Sequence, residues 1–188
     1  MELKPDMFKK ILPLPVTVIT TIDSSGIVNA APYGCVMPIL RPLDLIAIAS
    51  ALPRDTLRNI RQTREFVVNV IGRPRFQEAM RTAKNYPPEV NELEAEGLES
   101  VPSKRVGPPR MKDALGWIEA VLEEEVAREN YSLIIGKVVC AEINDVFADN
   151  GDLRELPAIM LRPDFRVIGE SISRVEETTR LFLPQDPG

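Results

Sequence analysis

The residues of this chain with the clearest chemical potential lie between Tyr33 and Thr56. Tyr33-Gly34-Cys35-Val36-Met37-Pro38 reads as a bend in which Gly34, lacking a Cβ, lets backbone N–H groups approach a ligand closely. Ser50, Leu52, Pro53, Arg54, Asp55 and Thr56 read as the end of a strand followed by a helix start. Pro53 suits a first helical turn, whose N–H groups have no partner inside the helix. Arg54 adds a planar, permanently charged fork, and Ser50 and Thr56 add hydroxyls. Val36, Met37 and Leu52 offer an apolar floor. Edge donors, an apolar floor and a cationic end are the equipment for holding an anionic, planar ligand.

Several of these residues carry two readings. Gly34 also fits a plain β-bulge. Tyr33 either stacks on a ring or packs in a core. Cys35 is a redox thiol or a small filler; with no second Cys nearby and no local cation, the filler reading is preferred. Asp55 is a proton donor or a first-turn cap, and the cap is preferred.

The chain has no histidine, which removes Ser-His-Asp and Cys-His catalysis and every His-ligated metal or haem. An enzyme built from these residues relies on carboxylates, Lys, Cys, Tyr or a cofactor that brings its own chemistry. Cys35 and Cys140 form no metal spacing and no disulfide framework. Glu123-Glu124-Glu125 reads as a solvated edge rather than a metal site, so no metal is expected. A net charge of −5 argues against nucleic acid as the partner, and Arg58, Arg61 and Arg64 fit a solvated helix face. No apolar run approaches the ~20 residues of a membrane helix, and Met1 to Lys10 is polar, so a cytoplasmic protein that avoids membranes is expected.

The elements that would position these residues follow from periodicity. Met7 to Leu12 looks helical. Val16 to Ile22 is a β-branched strand buried on both faces for part of its length, Asp23 to Gly26 a hairpin turn, and Ile27 to Ala31 the return strand. Pro32 should end or bulge that strand. Leu43 to Ser50 is a core strand, Ser50 or a neighbour caps the next helix, and Phe66 to Ile71 is a strand. Phe76, Ala79, Met80 and Ala83 have helical spacing within 73–84, and Val90 to Glu96 suggests a short acidic helix. Gly97 to Pro109 is a loop long enough to be a lid or a partner-contacting excursion. Trp117 to Val126 and Tyr131 to Ile143 are strands, with Cys140 in the core; Ala158 to Leu161 and Phe165 to Ile168 close the domain, and Pro184 to Gly188 frays. Many short strands with inserted helices predict a single mainly β domain, a barrel with peripheral helices, over residues 1–188.

Asn29-Ala30-Ala31-Pro32-Tyr33, Arg54-Asp55-Thr56-Leu57-Arg58-Asn59-Ile60 and Phe66-Val67-Val68-Asn69-Val70 resemble the flavin reductase-like, FMN-binding split-barrel family, which includes flavoredoxin-type proteins. Glu94, Gly97-Leu98, Pro102-Ser103, Pro108-Pro109-Arg110 and Ile135-Gly136-Lys137-Val138-Val139 extend the resemblance. It implies a Greek-key split barrel, bound FMN, NADH or NADPH as hydride donor, and a homodimer with the flavin near the interface. By resemblance the flavin-contacting bend is Tyr33 to Pro38, and the phosphate segment is Ser50 to Thr56. Family members often carry Ser or Thr where Gly34 and Met37 stand here, which leaves backbone contacts alone at those positions. No GxGxxG fingerprint occurs, so a nicotinamide would bind over the flavin rather than in a Rossmann domain. The activity implied is NAD(P)H-dependent flavin reduction, in some members with a redox protein as partner. The alternatives are an FMN-binding electron carrier without its own reaction, or a cofactor-free dimeric binding module.

Overall fold

The computed structural model describes residues 1–39 and 44–169. Leu43 and the tail from Pro184 to Gly188 lie outside the described residues. The strands are β1 (Leu14–Pro15), β2 (Thr17–Ile22), β3 (Val28–Tyr33), β4 (Val36–Ile39), β5 (Leu45–Ala51), β6 (Glu65–Val70), β7 (Ser100–Val101), β8 (Arg110–Met111), β9 (Gly116–Ala127), β10 (Tyr131–Ile143), β11 (Ala148–Asp149), β12 (Asp152–Leu153), β13 (Ala158–Leu161) and β14 (Asp164–Val167). The helices are α1 (Asp55–Thr63), α2 (Phe76–Arg81) and α3 (Glu92–Ala95), with a 3-10 segment at Pro5–Lys10 where a helix was expected.

Seven strands pair antiparallel in the order β3-β2-β6-β9-β10-β5-β4. The two edges of this sheet, β3 and β4, are consecutive in the chain and joined only by Gly34 and Cys35. Tyr33 and Val36 are three Cα steps apart, about 11 Å at most. A flat sheet of seven strands would hold its edges about 29 Å apart. The sheet therefore curls into a barrel, and it is split because β3 and β4 are not hydrogen-bonded to each other. The β5 to β6 connection, through α1, crosses the β9–β10 hairpin that lies between them, which is the expected Greek-key order.

Local sequence explains the strands next to the site. The run Thr17-Val-Ile-Thr-Thr-Ile is buried on both faces up to Thr21: Val18 and Ile19 enter the two parts of the core, and Thr20 donates to Pro109 O. Its hairpin closes through Asp23, whose Oδ1 accepts from the N–H of Ser25 (2.8 Å) and Ile27 (2.9 Å), with Gly26 at φ +83°. Pro32 does not end β3: the strand runs on to Tyr33, with Pro32 opposite Val18. An edge strand tolerates a missing donor on its open side. Gly136 is set by packing, since a Cβ there would come within 2.5 Å of the Phe66 ring.

The core has two parts. One gathers Val18, Leu93, Met111 and Ala158, with Phe76 and Met80 of α2 against it; the other gathers Ile19, Ile48, Leu57, Ile60, Phe66 and Ile134. Leu57 and Ile60 put one face of α1 against the barrel, as their spacing predicts. Helix α2 is only six residues long, shorter than its periodicity suggests.

The segment from Gly97 to Pro109 is not a free lid. Its β7 pairs with β8, and the N–H groups of Lys104 (2.8 Å) and Arg105 (2.7 Å) donate to the carboxylate of Glu119, which is fully buried in β9. Among the described residues no helix is long and apolar enough to cross a membrane.

Candidate functional site

A cleft of about 440 Å³ opens where the barrel edge, the start of α1 and the chain after α2 converge. Its walls are 29–35 of β3 and the following bend, Ala49 and Ala51 of β5, 54–56 at the start of α1, 82–86, and Glu92 of α3. The extended geometry of β3, bent at Gly34, brings these distant segments together.

Six of the ten residues expected at a site line this cleft: Tyr33, Gly34, Cys35, Arg54, Asp55 and Thr56. Four are elsewhere. Ser50 neither caps α1 nor offers its hydroxyl to the cleft; it is buried, paired with the Tyr33 hydroxyl at 2.8 Å and donating to Ala51 O at 3.3 Å. Val36 packs against the core. Met37 is 57% exposed on the outside of β4. Leu52 lies in a separate depression beside Leu57 and Arg58. The expected apolar floor of Val36, Met37 and Leu52 is thus absent from the cleft, and small residues of β3 and β5 (Ala30, Ala31, Ala49, Ala51) stand in its place. Alternation along β5 turns Ile48 to the core and Ala49 and Ala51 to the cleft.

The six cleft residues differ in how free they are. Tyr33 packs against the second core cluster, and its hydroxyl is paired with that of Ser50. The face of Gly34 that a Cβ would occupy is turned to β1, 3.4 Å from Pro15 O and 3.5 Å from Leu14 Cβ. Cys35 is exposed, not a buried filler, because the bend faces outward between two edge strands. Cys140 is only half-buried, with the Arg110 guanidinium 3.4 Å from its sulfur. Asp55 is the first helical residue, not the cap, and pairs with Arg58 at 2.8 Å. The cap position belongs to Arg54, which makes no side-chain capping bond; its guanidinium reaches only Pro53 O, at 3.4 Å.

Sequence reasoning missed Asn29, Glu92 and Glu96. Glu92 is 7% exposed, and its Oε2 accepts from the Ala30 N–H at 2.9 Å, filling an open donor of the edge strand β3. Burial pushes its carboxyl above the ordinary range, opposed by the backbone N–H groups of Ala30 and Glu92 and assisted by the nearby charge of Asp55. Asn91, the side-chain cap of α3, is a visible signal for that helix, but a Glu after a cap looks the same whether it faces solvent or a strand edge.

Glu96 collects Arg81 (2.6 Å), Lys84 (2.5 Å) and Tyr86 (2.5 Å), so it holds the 82–86 wall of the cleft in place. The bonds from Lys84, then Tyr86 and Arg81, lower its carboxyl to about 2. A depressed carboxylate stabilises the fold above its unfolded value and loses that effect as pH falls through its folded value. The Tm gap between the protein and Glu96→Gln should therefore stay constant above about 4.5 and close as pH approaches about 2. Thermal unfolding across that range checks it; a gap unchanged at pH 2 would show that Glu96 acts only by packing.

The family model described as "Flavin reductase like domain" matches residues 8–166. The chain is 46% identical over 141 residues to an uncharacterized protein of Methanothermobacter thermautotrophicus, covering 73% of this chain and 66% of that one. Among solved structures it is similar to flavoredoxin of Desulfovibrio vulgaris (TM-score 0.82, 17% identity, 93% of this chain and 97% of that one). It is similar also to an NADH:FAD oxidoreductase of Streptomyces globisporus in complex with NAD and FAD fragments (TM-score 0.75, 16% identity, 92% and 100%).

Proposed function

From the premise that this chain belongs to the flavin reductase like domain family, we propose that it is an FMN-binding oxidoreductase passing hydride or electrons from NADH or NADPH through the flavin. The observation that carries the reading is the start of α1. Asp55 is neutralised by Arg58, the cap makes no side-chain bond, and the Arg54 guanidinium forms no ion pair among the described residues. A phosphate there would meet free N–H groups, a helix dipole and a planar cation.

A bound flavin supplies hydride acceptance and electron transfer. In this reading Arg54 and the first turn of α1 hold the phosphate. The bend at Gly34 and Cys35 offers backbone groups to the ring edge, and the small residues of β3 and β5 leave room for a planar ring. Glu96 fixes the opposite wall through Lys84 and Tyr86. FAD is the competing flavin, favoured by the Streptomyces neighbour whose complex contains FAD fragments.

A homodimer is part of the proposal. β10 presents Val139 and Ile143, 39% and 38% exposed, beside a depression lined by Leu115, Trp117, Ile118 and Leu153. An apolar face of that kind suits a second copy.

One experiment tests these parts together. Protein incubated with FMN should carry the visible flavin band through gel filtration at about twice the 21.0 kDa chain mass. Anaerobic NADPH or NADH should then bleach the band. Bleaching by dithionite alone would favour an electron carrier, and a colourless peak would leave a cofactor-free module.

A further inference from the structure

A second hollow, a depression of about 350 Å³, runs along α1 outside the flavin cleft. Among the described residues Arg54 alone lines both. Leu57, Arg58, Arg61 and Gln62 follow Arg54 at steps of three, four, seven and eight residues, the spacing of one helix face. At about 1.5 Å per residue that face extends about 12 Å from Arg54 to Gln62, room for a nucleoside beyond a phosphate.

The lining combines three kinds of group. Leu52 and Leu57 give apolar surface. Arg54, Arg58 and Arg61 give three cations, and no carboxylate is part of the lining. Asp55 meets Arg58 at 2.8 Å and Glu125 meets Arg61 at 2.5 Å, so three cations face two carboxylates and one is in excess. In these pairs the Arg58 and Arg61 side chains stay 44% and 45% exposed. Arg61 commits Nε and Nη2 to Glu125 and Ser132, and its Nη1 makes no hydrogen bond among the described residues. A guanidinium stacks its plane on an aromatic ring and offers its edge to phosphate oxygens. The third kind is Gln62, exposed at the end away from Arg54, whose amide matches the N6 and N7 edge of adenine. In a chain of net charge −5 this stripe is a local reversal of sign.

We infer that the depression is an adenylate site: it takes the adenosine phosphate of a dinucleotide whose other half occupies the flavin cleft. The inference rests on the reading of that cleft as a flavin site with a phosphate at Arg54. Two dinucleotides bring the same group. FAD continues from its flavin phosphate past Arg54. NADH or NADPH lays its nicotinamide on bound FMN and its adenylate along α1. In either case the adenine meets Leu52, Leu57 and Gln62, and the phosphate oxygens meet the arginines.

Gln62→Glu tests the site without altering Arg54 or the start of α1. It replaces the amide N–H with a carboxylate, which repels phosphate and cannot donate to adenine. FAD and FMN are titrated into the flavin-free protein and into the variant. If FAD brings the adenylate, it binds about tenfold tighter than FMN, and Gln62→Glu closes that gap. Protein loaded with FMN is then bleached anaerobically with NADH, NADPH and reduced nicotinamide mononucleotide, which has no adenylate. If the nicotinamide dinucleotide brings it, half-maximal bleaching takes about tenfold less dinucleotide than mononucleotide, and Gln62→Glu removes that advantage. Bound FMN with neither advantage overturns the adenylate site and leaves the flavin cleft standing. An advantage that Gln62→Glu leaves intact overturns the site too, because the adenylate then lies elsewhere. If neither flavin binds, the flavin reading falls and takes the adenylate site with it.

Discussion

Replacing Arg110 by Ala should cost about 3–5 kcal/mol of stability, the loss typical when one partner of a buried ion pair is removed. For a chain of this size that lowers Tm by roughly 6–20 °C. The reason is Glu119, whose side chain is fully buried in β9 while that of Arg110 is 5% exposed. Arg110 donates from Nε to Glu119 at 2.6 Å and from Nη1 to Glu142 at 2.5 Å, and its guanidinium lies 5.0 Å over the Trp117 ring. Without it, Glu119 keeps, among the described residues, only the Lys104 and Arg105 N–H groups as partners and is buried with no cation beside it. The same carboxylate fastens the segment from Gly97 to Pro109, so amide exchange there should accelerate with the loss of stability. Replacing both residues, Arg110→Met with Glu119→Leu, leaves no buried charge unmatched but orphans the Lys104 and Arg105 N–H groups, so it should restore only part of the loss. Chemical denaturation of the protein and the two variants decides it. A loss below about 1 kcal/mol for Arg110→Ala would show that water reaches Glu119 and that the pair behaves as a surface one.

Arg54→Ala should weaken FMN about ten- to hundredfold, from the ~1.5–3 kcal/mol of a hydrogen bond to a charged group. Riboflavin should bind both proteins alike. The structure makes the variant a clean one: Arg54 is exposed, its side chain hydrogen-bonds only to Pro53 O among the described residues, and it precedes a helix held to the barrel by Leu57 and Ile60, so its loss should leave the fold unchanged. Thr56 is a less direct test, because its hydroxyl is bonded to Asn29 and its removal disturbs buried neighbours. Fluorescence titration of both flavins into both proteins measures the difference. Equal losses for FMN and riboflavin would move Arg54 from the phosphate to the ring or the fold.

By itself the sequence determined the longer strands, the existence of α1 and one end of the candidate site. The β-branched run at Thr17–Ile22, the Asp23 to Gly26 turn and the full length of Tyr131–Ile143 are written in local preference and alternation, which need no knowledge of distant partners. Arg54 and Thr56 were legible because a helix start leaves its donors free wherever it occurs. Tertiary structure decided the rest. Alternation cannot say which face of β4 meets the core, so Met37 came out exposed and Val36 inside. Pro32 continues a strand only because β3 is an edge, a property of strand order. Glu92 and Glu96 sit four residues apart in an acidic stretch that reads as solvated surface. One is buried against Ala30 of an edge strand, and the other is covered by the donors it gathers. Glu92 is buried by a strand 62 residues away and Glu96 by side chains 10 to 15 residues before it, spacings outside any helical or strand period, and burial of that kind leaves no periodic trace in the sequence.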